Sequence, residues 1–209
     1  MRSGGSIPLM RVRWLTLAVI VTVFPVRAPA QGDSARRPVY SKASEAQLDS
    51  LYAPLGYFMH RDEQGVYPGL SLDGKRDYLR RFWARRNPTP GAPDNRAADV
   101  FNVRLAYVNG HFREDEKAST PTPGWRTDRG RIYLENGAPD ITLSARPPAV
   151  PLPFTVWKYT RKTLKKYCFV DLTLFGNFVL VYSTNDREVT RPDWPLLVGD
   201  LASEEILEF

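Results

Sequence analysis

The stretch FTVWKYTRKTLKKYCFVDLTLFGNFVLVYST, residues 154–184, decides the fold. It holds three runs rich in Phe, Tyr and Val: Phe154–Thr160, Tyr167–Leu174 and Asn177–Thr184. They alternate in part and are separated by short polar or glycine-containing turns, the signature of consecutive antiparallel strands. Working upstream, ARPPAVPLP (145–153) is too rich in proline for a helix or a central strand and reads as an extended, polyproline-like loop. Before it, Arg131–Glu135 reads as a further strand, closed by the turn dipeptide Asn136-Gly137. The expectation is a meander of three to four antiparallel strands.

Further upstream the period changes to that of helices. Ser44-Glu45-Ala46-Gln47 has the form of a capping box, followed by Leu48, Leu51, Tyr52 and Leu55 at helical spacing. Pro54 should end or kink that helix. Residues 56–70 read as a connection with at most a short helix. Ser71–Arg86 is the strongest helix: Leu72, Tyr78, Leu79, Phe82 and Trp83 share a face, with Lys75, Arg76, Arg80, Arg81 and Arg85 largely opposite. Asn87 to Pro93, with three prolines in seven residues, must stop it. A second amphipathic helix is expected over 95–112, its stripe being Ala97, Val100, Phe101, Leu105, Val108 and Phe112. Residues 113–123 read as a charged, then proline-rich loop. The fold class is therefore α+β, with N-terminal helices followed by the meander sheet.

Four of the 29 basic residues (Arg2, Arg11, Arg13 and Arg27) and none of the 23 acidic ones fall in residues 1–30. The net charge of +6 is mostly a property of that segment, so nucleic acid is not an expected partner. The segment reads as a signal peptide, with a basic start, an apolar run at Trp14–Phe24 and Ala28-Pro29-Ala30 as the cleavage site. An uncleaved anchor is the alternative. The remaining organisation is a flexible lead-in at 31–43, one domain at 44–185, and a tail at 186–209 ending in a short acidic helix (Ser203–Phe209). Export to the periplasm or beyond is expected. Cys168 is the sole cysteine, so no internal disulfide can form.

The 209 residues carry no nucleophile elbow, nucleotide-binding glycine loop or zinc-protease motif. His60 and His111 are the only histidines, so neither metal nor cofactor is expected. The densest chemistry is in Gly124-Trp125-Arg126-Thr127-Asp128-Arg129-Gly130-Arg131. Glycines permit close backbone approach, Trp125 can seal helices against the sheet, and Asp128 can accept from backbone N–H groups. Those roles make a structural corner. The competing reading is a recognition corner, with Trp125 as anchor and Arg126, Asp128, Arg129 and Arg131 holding a polar ligand. A second dense segment is Phe82-Trp83-Ala84-Arg85-Arg86-Asn87-Pro88-Thr89-Pro90-Gly91.

These two segments resemble the GWxTD domain family, whose motif stands here as Gly124-Trp125-Arg126-Thr127-Asp128. That family tends to carry a Phe-Trp pair followed by R-D-P-T-P-G; here Phe82-Trp83 precedes Arg86, Asn87, Pro88, Thr89, Pro90 and Gly91, with Asn87 in the aspartate's place. Gly137-Ala138-Pro139-Asp140 is similar to its G-x-P-D turn, and Trp157-Lys158-Tyr159 to a later strand. The resemblance spans roughly 45–185 and implies an exported bacterial envelope protein of α+β fold with no catalytic residue. The leading expectation is thus a non-catalytic interaction or scaffolding module. It would present a sheet edge and the aromatic–arginine corner to another envelope protein, with peripheral contact to an anionic membrane surface as a further expectation. The alternatives are a small-ligand or glycan site beside the 124–131 loop, and a hydrolase using carboxylates such as Asp128 and Glu135.

Overall fold

The computed structural model describes residues 40–92, 94–114, 121–161 and 163–209. The expected leader (1–30) and most of the lead-in lie outside the described residues. The described helices are α1 (Glu45–Tyr52), α2 (Leu72–Arg85), α3 (Arg96–His111), α4 (Asp128–Asn136), α5 (Trp194–Val198) and α6 (Asp200–Glu208). The strands are β1 (Ile141–Ala145), β2 (Phe154–Tyr159), β3 (Lys165–Asp171) and β4 (Phe178–Ser183). They pair in chain order as one antiparallel sheet, so the molecule is α+β with a meander, as its sequence implies.

Local chemistry explains the helix ends. Ser44 and Gln47 form the reciprocal capping box that starts α1. Pro54 passes the chain into a 3-10 turn (Ala53–Phe58). Two further 3-10 turns, Arg61–Glu63 and Tyr67–Gly69, fill the connection to α2. Ser71 and Asn95 cap α2 and α3 by accepting the backbone N–H groups of Gly74 and Ala98.

Two expectations along α2 change. Leu72 is exposed, while Lys75 is buried and pairs with Glu45 (2.7 Å) and Asp49 (2.9 Å) of α1. Arg76, Arg80 and Arg85 pair with Asp73, Asp77 and Glu63, so the basic face is largely neutralised within the fold.

Arg131–Glu135 is not a strand. It lies in α4, whose N-cap Thr127 accepts from the Gly130 N–H and whose C-cap is Gly137 at φ 84°. Ile132 and Leu134 are both buried although two residues apart. Two residues apart on a helix they face nearly opposite ways, and both are buried because α4 is packed between α3 and the sheet. That double burial imitates strand alternation. Asn136-Gly137 is accordingly a helix end and not a hairpin turn, and the fourth strand is β1, one element later.

The sheet carries a core on each face. Trp157, Tyr159, Tyr167, Phe169 and Leu180 pack against the N-terminal helices. Phe154, Val156, Cys168, Val170 and Val181 pack against Trp194, Val198, Ala202 and Ile206. The segment read as a tail is therefore the third layer of the fold. Lys166 and Lys158 reach across from β3 and β2 to the last carbonyls of α6. Lys166 Nζ donates to Ile206 O (3.1 Å) and Leu207 O (2.7 Å), and Lys158 Nζ to Phe209 O. Glu114 and Thr122 form an isolated antiparallel bridge, and residues 115–120 between them lie outside the described set.

Candidate functional site

The motif corner is held by two close approaches. A Cβ on Gly124 would stand 1.8 Å from the Val108 carbonyl oxygen of α3, and one on Gly130 would stand 1.8 Å from the Gly124 carbonyl oxygen. Thr127 ties the same turn, its hydroxyl donating to Gly124 O (2.8 Å) and accepting from Gly130 N (3.1 Å). Trp125 is half-buried, edge-on to Tyr57, with its backbone N–H on Asn109 Oδ1. Arg126 is exposed and lies 5.0 Å over the Trp125 ring.

The other charged members face inward. Asp128 Oδ2 accepts the Leu180 N–H of β4 (2.8 Å). Arg129 lies between the rings of Phe112 and Phe178 and donates to Gly176 O (3.2 Å). Arg131 forms a bidentate pair with Glu188 (2.7 and 2.8 Å) and lies 3.9 Å from both Asp128 and Glu135. The corner thus ties α3, α4 and β4 together, and Arg126 alone of its arginines is exposed. Around it, Gly137 O accepts the Tyr159 hydroxyl (2.9 Å), and Asp140, just after half-buried Pro139, accepts Thr160 N (2.7 Å) beside Arg161. Trp157 is buried against Phe112, Tyr133 and Phe169.

The β4 edge is not open. Phe178 N donates to Glu114 Oε1, Leu180 N to Asp128, and Ser183 N to Thr190 Oγ1, while Val181 O accepts the Arg191 N–H. Among the described residues β1 is the edge strand without such a cover.

One exposed apolar feature is a segment that sequence reading placed inside a strand or its turn. Residues 172–177 join β3 to β4. Buried Asp171 accepts Thr173 N (3.2 Å), Thr173 Oγ1 (3.1 Å) and Gly176 N (2.7 Å), and so pins both ends of the loop. Between those pins Leu174 takes φ 64°, a region that L side chains rarely adopt, and is 61% exposed. Phe175 is 88% exposed, the most exposed large apolar residue described. Asp171 followed two residues later by Thr was the available sign, an Asx-type turn.

The Phe-Trp segment forms a second region. Phe82 is buried. Arg86 lies 3.7 Å over its ring, pairs with both oxygens of buried Glu63, and donates to Phe58 O (2.8 Å). The Arg86 guanidinium beside it holds the Glu63 carboxyl down at about 2. Pro88, Thr89 and Pro90 form an exposed turn, fixed by Thr89 N on Asn87 Oδ1 (3.1 Å) and by Gly91 at φ 81°. Trp83, half-buried, stands between two cavities. One, of about 260 Å³, is lined by Tyr40, Asn87 and Asn102. The other, of about 480 Å³, is lined by Phe58, Val100 and Phe101. Neither includes any residue of 124–131.

The remaining reactive groups sit apart. Burial pushes the Cys168 thiol up to about 12. His111 stacks on Tyr107, and His60 precedes the Arg61–Glu63 turn. Among the described residues there is no cluster of His, Cys, Asp or Glu able to hold a metal, and no helix is long and apolar enough to cross a membrane. No family model, curated protein or solved structure matches this chain.

Proposed function

We propose that this is a non-catalytic, exported protein of the cell envelope, a member of the GWxTD family, which docks another envelope protein through the β3–β4 tip. The observation that carries the reading is the rigid display of Leu174 and Phe175, held outward by the three hydrogen bonds to Asp171. Strained backbone that keeps an aromatic in water is retained where a contact uses it. Aromatic side chains are the commonest energetic anchors of protein interfaces. A protein pocket suits this tip better than an anionic bilayer. Residues 172–177 contain no Lys or Arg, and Arg129 beneath them is packed between two rings. The export reading rests on residues 1–30, and the non-catalytic reading on the engagement of the Asp128 carboxylate with β4.

The test is photo-crosslinking in intact cells, with a benzophenone amino acid at position 175 and a control at exposed Val103. A discrete protein adduct from 175 and not from 103 is expected, together with a mature N-terminus near Gln31. Adducts confined to lipid, equal adducts from both positions, or a chain retained in the cytoplasm would overturn the reading.

A further inference from the structure

We infer that the cleft between α2 and α3 binds an amphipathic monoanion, with an apolar chain lying on Trp83, Val100 and Phe101 and an acid group at Arg104. The cleft is about 480 Å³, within the range of roughly 300–1,000 Å³ typical of small-molecule sites. Its wall is Phe58, Trp83, Val100 and Phe101, the last two rings and Phe58 meeting edge-on or tilted at 5.2–5.3 Å. Val100 lies on the stripe that sequence periodicity assigns to the core, yet is 44% exposed, because the cleft is where that stripe meets solvent.

The charge around this wall has one sign. Among the described residues lining the cleft there are three arginines and no carboxylate. Arg86 is neutralised by Glu63. Arg104 is half-buried and, among the described residues, pairs with no carboxylate; its Nη1 donates to the carbonyls of Leu134 (2.7 Å) and Glu135 (3.1 Å). Those carbonyls end α4 and supply about half a negative charge, so the guanidinium is fixed in place but under-compensated. Gly137 packs closely against it, since an added Cβ would stand 2.8 Å from Arg104 Nη2. Arg96, Val100 and Arg104 recur every four residues on α3, so the two cations bracket about 12 Å of apolar wall. That is the length of a medium acyl chain. A half-buried cation gains most from an anion that enters with its own apolar cover, since water is then excluded from the pair. A cavity of this size fits a small molecule.

The full chain is titrated calorimetrically with dodecanoate, dodecyltrimethylammonium and 1-decanol, each below its aggregation threshold. The inference predicts one-to-one dodecanoate binding, at least tenfold tighter than the cation. Val100→Asp should weaken dodecanoate at least twentyfold while leaving the melting curve unchanged, because Val100 is already in contact with water. Arg104→Gln, which keeps a donor for the Leu134 carbonyl, should weaken dodecanoate about tenfold and leave decanol unaltered. Phe175→Ala should change nothing, which separates this site from the docking tip. Absence of binding, equal affinity for the cation, full binding by Val100→Asp, or a self-association that Val100→Asp abolishes in place of ligand binding would each overturn the inference.

Discussion

Gly124 and Gly130 show why the motif needs its glycines. Neither has positive φ; each is needed because a carbonyl oxygen occupies the space of its Cβ. Gly124→Ala or Gly130→Ala should each cost more than about 4 kcal/mol, measured by urea unfolding, since backbone of α3 or of the motif turn itself must move. Gly110, in the last turns of α3 with open space around it, is the internal control. Gly110→Ala should stabilise by roughly 0.5–1 kcal/mol by restricting the unfolded chain. Cys168 is packed into the second core with its thiol held protonated, so the native protein should not react with an aromatic disulfide reagent at pH 8, whereas the urea-unfolded chain should react at once.

At the scale of elements, the Glu63–Arg86 pair joins α2 to the 3-10 turns before it. The folded value of Glu63, about 2 against an ordinary 4.5, means that the pair's contribution is complete above pH 4.5 and is lost as the pH falls toward 2. Glu63→Gln should lower stability at pH 7 by roughly 2–3 kcal/mol and flatten the acid limb of the stability curve between those values. The helices around this pair were legible because their signals are local: a capping serine, an apolar stripe, a proline stop. The strand expected at Arg131–Glu135 failed for a non-local reason. Ile132 and Leu134 are buried on opposite sides of one short helix, and only the neighbouring layers reveal that. Thr127 three residues before Gly130, with Gly137 closing the segment, was the helix punctuation that outweighs the alternation. The same misreading hid β1, whose five residues are flanked by proline-rich chain.

In the whole molecule the sheet is sandwiched, with α1–α4 on one face and α5–α6 on the other. The sequence predicted the first face and the meander, but not that the final segment returns to cover the second. The apolar residues of that segment, Trp194, Val198, Ala202 and Ile206, are few and spaced over thirteen residues, which reads as a tail until the exposed face of β2 and β3 is in view. The candidate site was legible in part. The corner residues were singled out, yet the charges of Asp128, Arg129 and Arg131 brace α3, α4 and β4, and the outward features are Arg126 and an apolar pair within a run that looked internal. Burial of a phenylalanine is not written in its own neighbourhood; exposure of Phe175 follows from the Asp171 pins and the length of the turn.

The proposed docking function resides in a fixed apolar tip and not in reactive groups. It is tested most directly by comparing the crosslinking yield from position 175 in the parent chain and in Asp171→Asn, both verified as folded by circular dichroism. Asparagine offers one acceptor oxygen in place of two, so the tip loses its fixed shape while the sheet persists. The expected yield is at least fivefold lower in the variant; an unchanged yield would contradict docking through the tip.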